Sequence, residues 1–169
     1  MVLTGGDRQT PRAEYFFRNA DPPRPERALL GVAYRSDADR TYGPFRVEST
    51  VHRFFAGTGL APGDLIGETG VNGGGASGWE VDTSIAGTAR PGVVVKCSGD
   101  SDRGDPPGNL QLLARGVNEG GFGGDMTYYD TTSGGFVFAA GSISFGGSLV
   151  QDSHLQTIVR NVLDACLAR

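Results

Sequence analysis

The sequence predicts an α+β fold, mostly β-strands with glycine-rich turns and one C-terminal amphipathic helix. Three observations carry that reading. Glycine supplies 28 of 169 residues, more than twice its usual share of about 7%, with no collagen period. Short apolar runs rich in aromatic and β-branched residues lie between Gly and Pro signals, as strands do. One stripe only, Leu155, Ile158, Val159, Val162, Leu163 and Cys166, repeats at helical spacing. Hydrophobic residues at 38% are enough for a core, so the glycines mean tight turns, not disorder.

In chain order, residues 1–27 form an irregular N-terminal segment, and 28–169 a single β-rich domain with its C-terminal helix. Pro22, Pro23 and Pro25 exclude helix and central strand from the segment, which holds a short apolar island, Tyr15-Phe16-Phe17. Residues 29–34 read as the first strand, 35–45 as an exposed loop, and Val51-His52-Arg53-Phe54-Phe55 as a strand stopped at Gly57-Thr58-Gly59. Gly73, Gly75 and Gly78 spell a literal G-x-G-x-x-G. A dinucleotide site needs a helix next, and Trp79-Glu80-Val81-Asp82 reads as strand, so a tight loop is the better reading. Residues 92–97 and 110–115 are further strands. Met126 to Asp130 pairs across Ser133-Gly134-Gly135 with Phe136 to Ala140, a run read as buried on both faces. Asp152 or Ser153 caps the closing helix.

A net charge of −4 and a pI near 5.1 argue against a nucleic-acid partner. Cys97 and Cys166 have no metal-ligand spacing and read as buried free thiols in a reducing compartment. No signal pattern opens the chain and no stretch approaches a membrane span. A soluble, cytoplasmic protein is expected, with no membrane partner.

Five stretches carry a resemblance. They are Arg24 to Val32, His52-Arg53-Phe54-Phe55-Ala56-Gly57-Thr58-Gly59-Leu60-Ala61-Pro62-Gly63-Asp64-Leu65-Ile66-Gly67, Gly74-Gly75-Ala76-Ser77-Gly78-Trp79-Glu80-Val81-Asp82, Leu112 to Asn118 with Gly124 to Tyr129, and the final Gly-Gly, apolar strand, Ala-Gly-Ser, Ile-x-Arg-Asn-Val-Leu sequence. In this order they resemble the C-terminal part of the N,N-dimethylformamidase large (beta) subunit family. The resemblance implies an amidohydrolase cleaving the C–N bond of a small amide substrate. It also implies an iron held by two tyrosines and a glutamate, and a domain like class I glutamine amidotransferases, whose C-terminal part this chain would match. The family's tyrosine-bearing motifs lie upstream and have no counterpart here, so no tyrosine of this chain inherits the ligand role, and no iron is expected on this chain alone. Two readings follow: a truncated piece of a larger enzyme, inactive alone, or a stand-alone relative without the metal. Upstream helices would cover the sheet in the whole family domain, so self-association or a partner polypeptide is expected, with Tyr15-Phe16-Phe17 near the contact.

Candidate chemistry rests on four residues. Glu80 and Asp82, two apart on the expected strand, would share a face and serve a cation or a substrate amide; two solvated carboxylates at a sheet edge is the plain alternative. Glu80 is the position nearest to a family glutamate. Trp79, where the family often has histidine, joins Asp82 as a substrate-binding candidate. His52 is a candidate general base, against a structural histidine with one hydrogen bond. Gly-x-Ser-x-Gly, Cys-x-x-Cys and His-x-x-x-His are absent, so serine-triad and zinc mechanisms lack support. A non-catalytic β-rich assembly or binding module is the other reading.

Overall fold

The computed structural model describes residues 24–35, 40–84, 104–121 and 123–168. Residues 92–97, Cys97 and the Tyr15-Phe16-Phe17 island fall outside them. The fold is mixed α+β, mostly strands with a C-terminal helix. Its elements begin with α1 (Glu26–Leu30) and β1 (Ala33–Arg35), followed by β2 (Tyr42–Gly43), β3 (Phe45–Val47), β4 (Leu65–Ile66), β5 (Ser77–Gly78) and β6 (Val81–Thr83). Then come β7 (Gln111–Gly116), β8 (Asp125–Asp130), β9 (Phe136–Ala139), α2 (Phe145–Leu149) and α3 (Ser153–Leu167).

The largest sheet has the antiparallel order β4-β3-β7-β8-β9. Its β8–β9 hairpin pairs Tyr128 with Phe138 and Asp130 with Phe136, across the turn that Gly134 predicts. β9 is an edge strand and its residues are all half-buried, which corrects the expectation of burial on both faces. α3 covers the sheet. Its cap is Asp152, whose carboxylate accepts from the His154 and Leu155 amides at 2.8 and 3.0 Å and satisfies two donors of the first turn. The other carboxylate oxygen accepts from the Gly67 amide at 2.6 Å, so one side chain starts the helix and ties it to the chain after β4.

The buried helix positions are Leu155, Ile158 and Ala165, with Val162 packed beside them; they join Phe45, Phe54, Ile66, Leu113 and Met126 in one core. Leu163 and Cys166, placed on the stripe by spacing, are exposed, and a small Ala165 takes the inward slot instead. Cys166 is therefore not the buried thiol expected. Asn161 fastens the helix from the side, donating to the Phe54 and Ala56 carbonyls at 2.8 and 2.9 Å.

Two expected strands are helical turns. Residues 26–30 form α1 because Pro25 fixes an extended N-cap, Glu26 suits the first turn, and Gly31 closes it at φ 78°. The chain then enters β1 at Ala33. Arg53–Phe55 is a 3-10 turn capped by His52, which lets both Phe54 and Phe55 point into the core where a strand would split them between faces. The expected loop at 35–45 also contains β2.

β1 pairs with β6 and β2 with β5, as two separate two-stranded antiparallel sheets. Between the pairs, the Arg40 amide donates to the Trp79 carbonyl at 2.8 Å and the Trp79 amide to the Thr41 carbonyl at 3.1 Å. Arg40 and Trp79 both take the left-handed conformation, with φ 60° and 65°. No described helix is long and apolar enough to cross a membrane.

Candidate functional site

The bend at Trp79 builds the site. A bulky residue at positive φ costs about 1–2 kcal/mol and persists only when its surroundings hold it there. Trp79 is held by its two backbone bonds to Arg40 and Thr41, just before β2, and by the residues that precede it. The Gly75–Gly78 stretch packs directly on backbone: a Cβ on Gly75 would come 2.3 Å from the Gly43 carbonyl oxygen. Two serines of the 141–144 segment then fasten it. Ser142 Oγ accepts from the Gly78 amide at 2.8 Å and donates to the Gly78 carbonyl at 3.2 Å, while Ser144 Oγ donates to the Gly75 carbonyl at 3.0 Å. The Ile143 amide donates to the Glu80 carbonyl, and the Asp82 amide to the Gly141 carbonyl.

This framework leaves an open-sided cleft of about 410 Å3 lined by Tyr42, Asn72, Trp79, Ile143 and Ser144. Trp79 is 49% exposed and Ile143 62%. Two aromatic side chains and an isoleucine give it an apolar wall; a phenol, a carboxamide and a hydroxyl bring hydrogen-bonding groups. None of the described lining residues carries a charge. Among the described lining residues the arrangement suits an uncharged ligand, and none of them forms a nucleophile–base pair.

The four sequence candidates do not converge. Trp79 lines the cleft. Glu80 is exposed and sits in the bend before β6, because the positive φ at Trp79 breaks the extended run there. The expected strand therefore starts at Val81, and the alternation that would set Glu80 and Asp82 on one face does not span them. Asp82 is half-buried within β6, opposite Tyr34. His52 lies elsewhere, in an aromatic nest with ring centroids 4.3 Å from Phe54 and 4.1 Å from Tyr128. Its Nδ1 accepts the Phe54 amide at 3.4 Å as a helix-turn cap.

Burial, then the neighbouring Arg53 charge, lower the His52 pKa, against a smaller opposing pull from Asp130. The neutral imidazole is favoured in the fold, so protonation is harder there than in the unfolded chain. The sign follows: the contribution is present above the unfolded value of about 6.5 and is lost as pH falls through the lower folded value. Acidification below about 6.5 is expected to lower the urea midpoint, and His52→Asn, which keeps an acceptor for the cap, should flatten that slope. An unchanged slope in the variant would place the titration elsewhere.

Sequence reading missed Tyr42, Asn72, Ile143 and Ser144. Only Ser142-Ile143-Ser144 carried a signal, since hydroxyls two apart around an apolar residue fit an extended segment with both hydroxyls on one side. It also missed Asp125, 1% exposed, whose carboxylate accepts from Arg115 Nε at 2.9 Å, the Ser84 amide at 2.8 Å and Ser84 Oγ at 2.6 Å.

The resemblance implies an iron held by two tyrosines and a glutamate, and two of the described tyrosines have their hydroxyls engaged within the fold. No group of three His, Cys, Asp or Glu among the described residues is placed to hold a metal ion. The Tyr128 hydroxyl donates to Asp130 at 2.6 Å and the Tyr129 hydroxyl to the Leu29 carbonyl.

Comparison with known proteins bears on the whole chain. A family model described as "N,N-dimethylformamidase beta subunit-like, C-terminal" matches residues 4–157. The N,N-dimethylformamidase beta subunit of Paracoccus aminophilus is 31% identical over 115 residues, covering 62% of this chain and 15% of that protein. The same subunit from an Alcaligenes species is 31% identical over 116 residues, covering 63% and 15%. The chain thus matches a stretch equal to 15% of the length of these curated relatives.

Proposed function

The chain belongs to the N,N-dimethylformamidase beta subunit-like C-terminal family, and from that premise we propose that it forms the C-terminal region of an amidohydrolase large subunit. The reaction is hydrolysis of the C–N bond of a small amide, in which water adds to the carbonyl carbon, the C–N bond breaks, and an amine and a carboxylic acid result. This domain, taken as the unit from residue 28 onward with 1–27 as its lead-in, supplies a wall of the substrate pocket through Trp79. Glu80 and Asp82 border that wall. His52 keeps a structural role, as its cap and ring contacts favour.

The observation that carries the proposal is the cleft itself: an aromatic-walled recess, shaped by a strained loop, whose described lining residues are uncharged and offer rings and hydrogen-bonding groups. Its described lining residues supply binding groups. On this reading iron, its ligands and the catalytic base belong to other parts of the assembled enzyme, with which this domain works as a partner, and the isolated chain is inactive. Association with that partner, or with a second copy, is part of the reading, as are a glutamine amidotransferase-like setting for the complete domain and a cytoplasmic location. The other reading, a non-catalytic assembly module, is favoured by the same binding groups.

Incubating the 169-residue chain with N,N-dimethylformamide and iron, and following dimethylamine, should give no release above the blank. Release that disappears in Glu80→Gln would place catalysis in this chain and overturn the proposal.

A further inference from the structure

The cleft is larger than a small aliphatic amide requires. Recesses of about 300–1,000 Å3 hold ligands of drug size, and at about 410 Å3 this one lies in that range. A one-carbon amide with two methyl groups would fill a small part of it and touch only one wall. Trp79 and Tyr42 offer aromatic rings, which reward a flat aromatic partner beyond simple burial. Asn72 carries both a carboxamide donor and an acceptor, and the Tyr42 hydroxyl adds a donor, so together they match an amide C=O and N–H. An ionised ligand would give up hydration there with no charge among the described lining residues to compensate.

We infer that the cleft between Trp79, Tyr42, Asn72 and Ile143 is a binding site for an uncharged amide bearing an aromatic ring. The inference rests on the amidohydrolase reading for its choice of amides, and it deepens that reading by assigning a bulkier substrate class to the site.

Trp79 is the sole tryptophan of the chain, so its fluorescence reports on this wall alone. Titrating the 169-residue chain with acetanilide should change that emission saturably. N-cyclohexylacetamide, of similar size but without the flat ring, should need at least fivefold more, and N,N-dimethylformamide at least tenfold more. Tyr42→Leu should weaken acetanilide fivefold or more. Should Tyr42→Leu melt early, Asn72→Ala, a change at an exposed position, supplies the same comparison and should weaken binding at least threefold. A folded chain with no saturable response to acetanilide overturns the inference. So do equal midpoints for the aromatic and cyclohexyl amides, or unchanged binding in a folded Tyr42→Leu or Asn72→Ala variant. Acetanilide binding with no hydrolysis by the assembled enzyme would sink the amidohydrolase reading and leave the site. Hydrolysis of small amides with no acetanilide binding would do the reverse.

Discussion

Ile158→Asp is expected to abolish the cooperative melt of the domain. Ile158 is fully buried, and with Leu155 it joins α3 to the core of Phe45, Phe54, Leu113 and Met126. An aspartate there would bring a charge into an apolar contact, at a cost of several kcal/mol. A domain of ordinary stability has only about 5–15 kcal/mol to lose. The effect should spread, because α3 packs on the Arg53–Phe55 turn and is tied to Gly67 by Asp152. Arg160→Ala, on the exposed face of the same helix, should stay within about 0.5 kcal/mol. Circular dichroism melts of both variants decide the matter. Two similar, parent-like melts would mean that α3 does not cover the sheet.

Asp125→Ala should be the second large loss, at about 3 kcal/mol. Its carboxylate is 1% exposed and collects three donors, from Arg115 and Ser84. Breaking a buried ion pair by removing one partner costs about 3–5 kcal/mol. The low end applies, because the Arg115 side chain is 34% exposed and can turn its charge to water. Ser84 would lose the acceptor for its amide and its hydroxyl together, and with it the tie between β8 and the residue that follows β6. Ser84→Ala removes one of the three bonds and should cost about 1 kcal/mol. Urea titration measures both. Equal, small losses would show that the carboxylate is not the anchor of that end of the sheet.

Where the fold was legible, the reasons are local. Asp152 before a 3.6-residue stripe marked α3, and Gly134 between two aromatic runs marked the β8–β9 hairpin. Spacing alone could not orient the helix, since apolar residues at 155, 158, 159, 162, 163 and 166 span more arc than one contact face. The sheet then chose Ala165 over Leu163 and Cys166. At residues 26–31 the apolar Leu29-Leu30 pair outweighed the cap signals of Pro25, Glu26 and Gly31, which were right. The bend at Trp79 has no local cause: a tryptophan followed by Glu-Val-Asp favours extension, and its positive φ comes from pairing with Arg40 and Thr41 nearly forty residues upstream.

The site divides the same way. Trp79 stood out through the resemblance, at a position where the family often has histidine, while its neighbours in the cleft come from three other parts of the chain. Tyr42 arrives on β2, Asn72 from the loop after β4, and Ile143 with Ser144 from the segment before α2. Only tertiary pairing brings these together. Glu80 and Asp82 looked coupled because a strand was expected through both, and the Trp79 kink removes that premise.

Complementation is the most direct measurement of whether this domain works as the C-terminal region of an amidohydrolase large subunit. A Paracoccus aminophilus N,N-dimethylformamidase beta subunit lacking the segment matched by this chain would be prepared with iron supplied in the buffer. The 169-residue chain would then be added, and dimethylamine release from N,N-dimethylformamide followed. The expected result is that neither part alone releases dimethylamine, that the mixture does, and that Trp79→Ala lowers the restored rate at least tenfold. Association of the two parts with no release at any concentration, or full release by the shortened subunit alone, would contradict it.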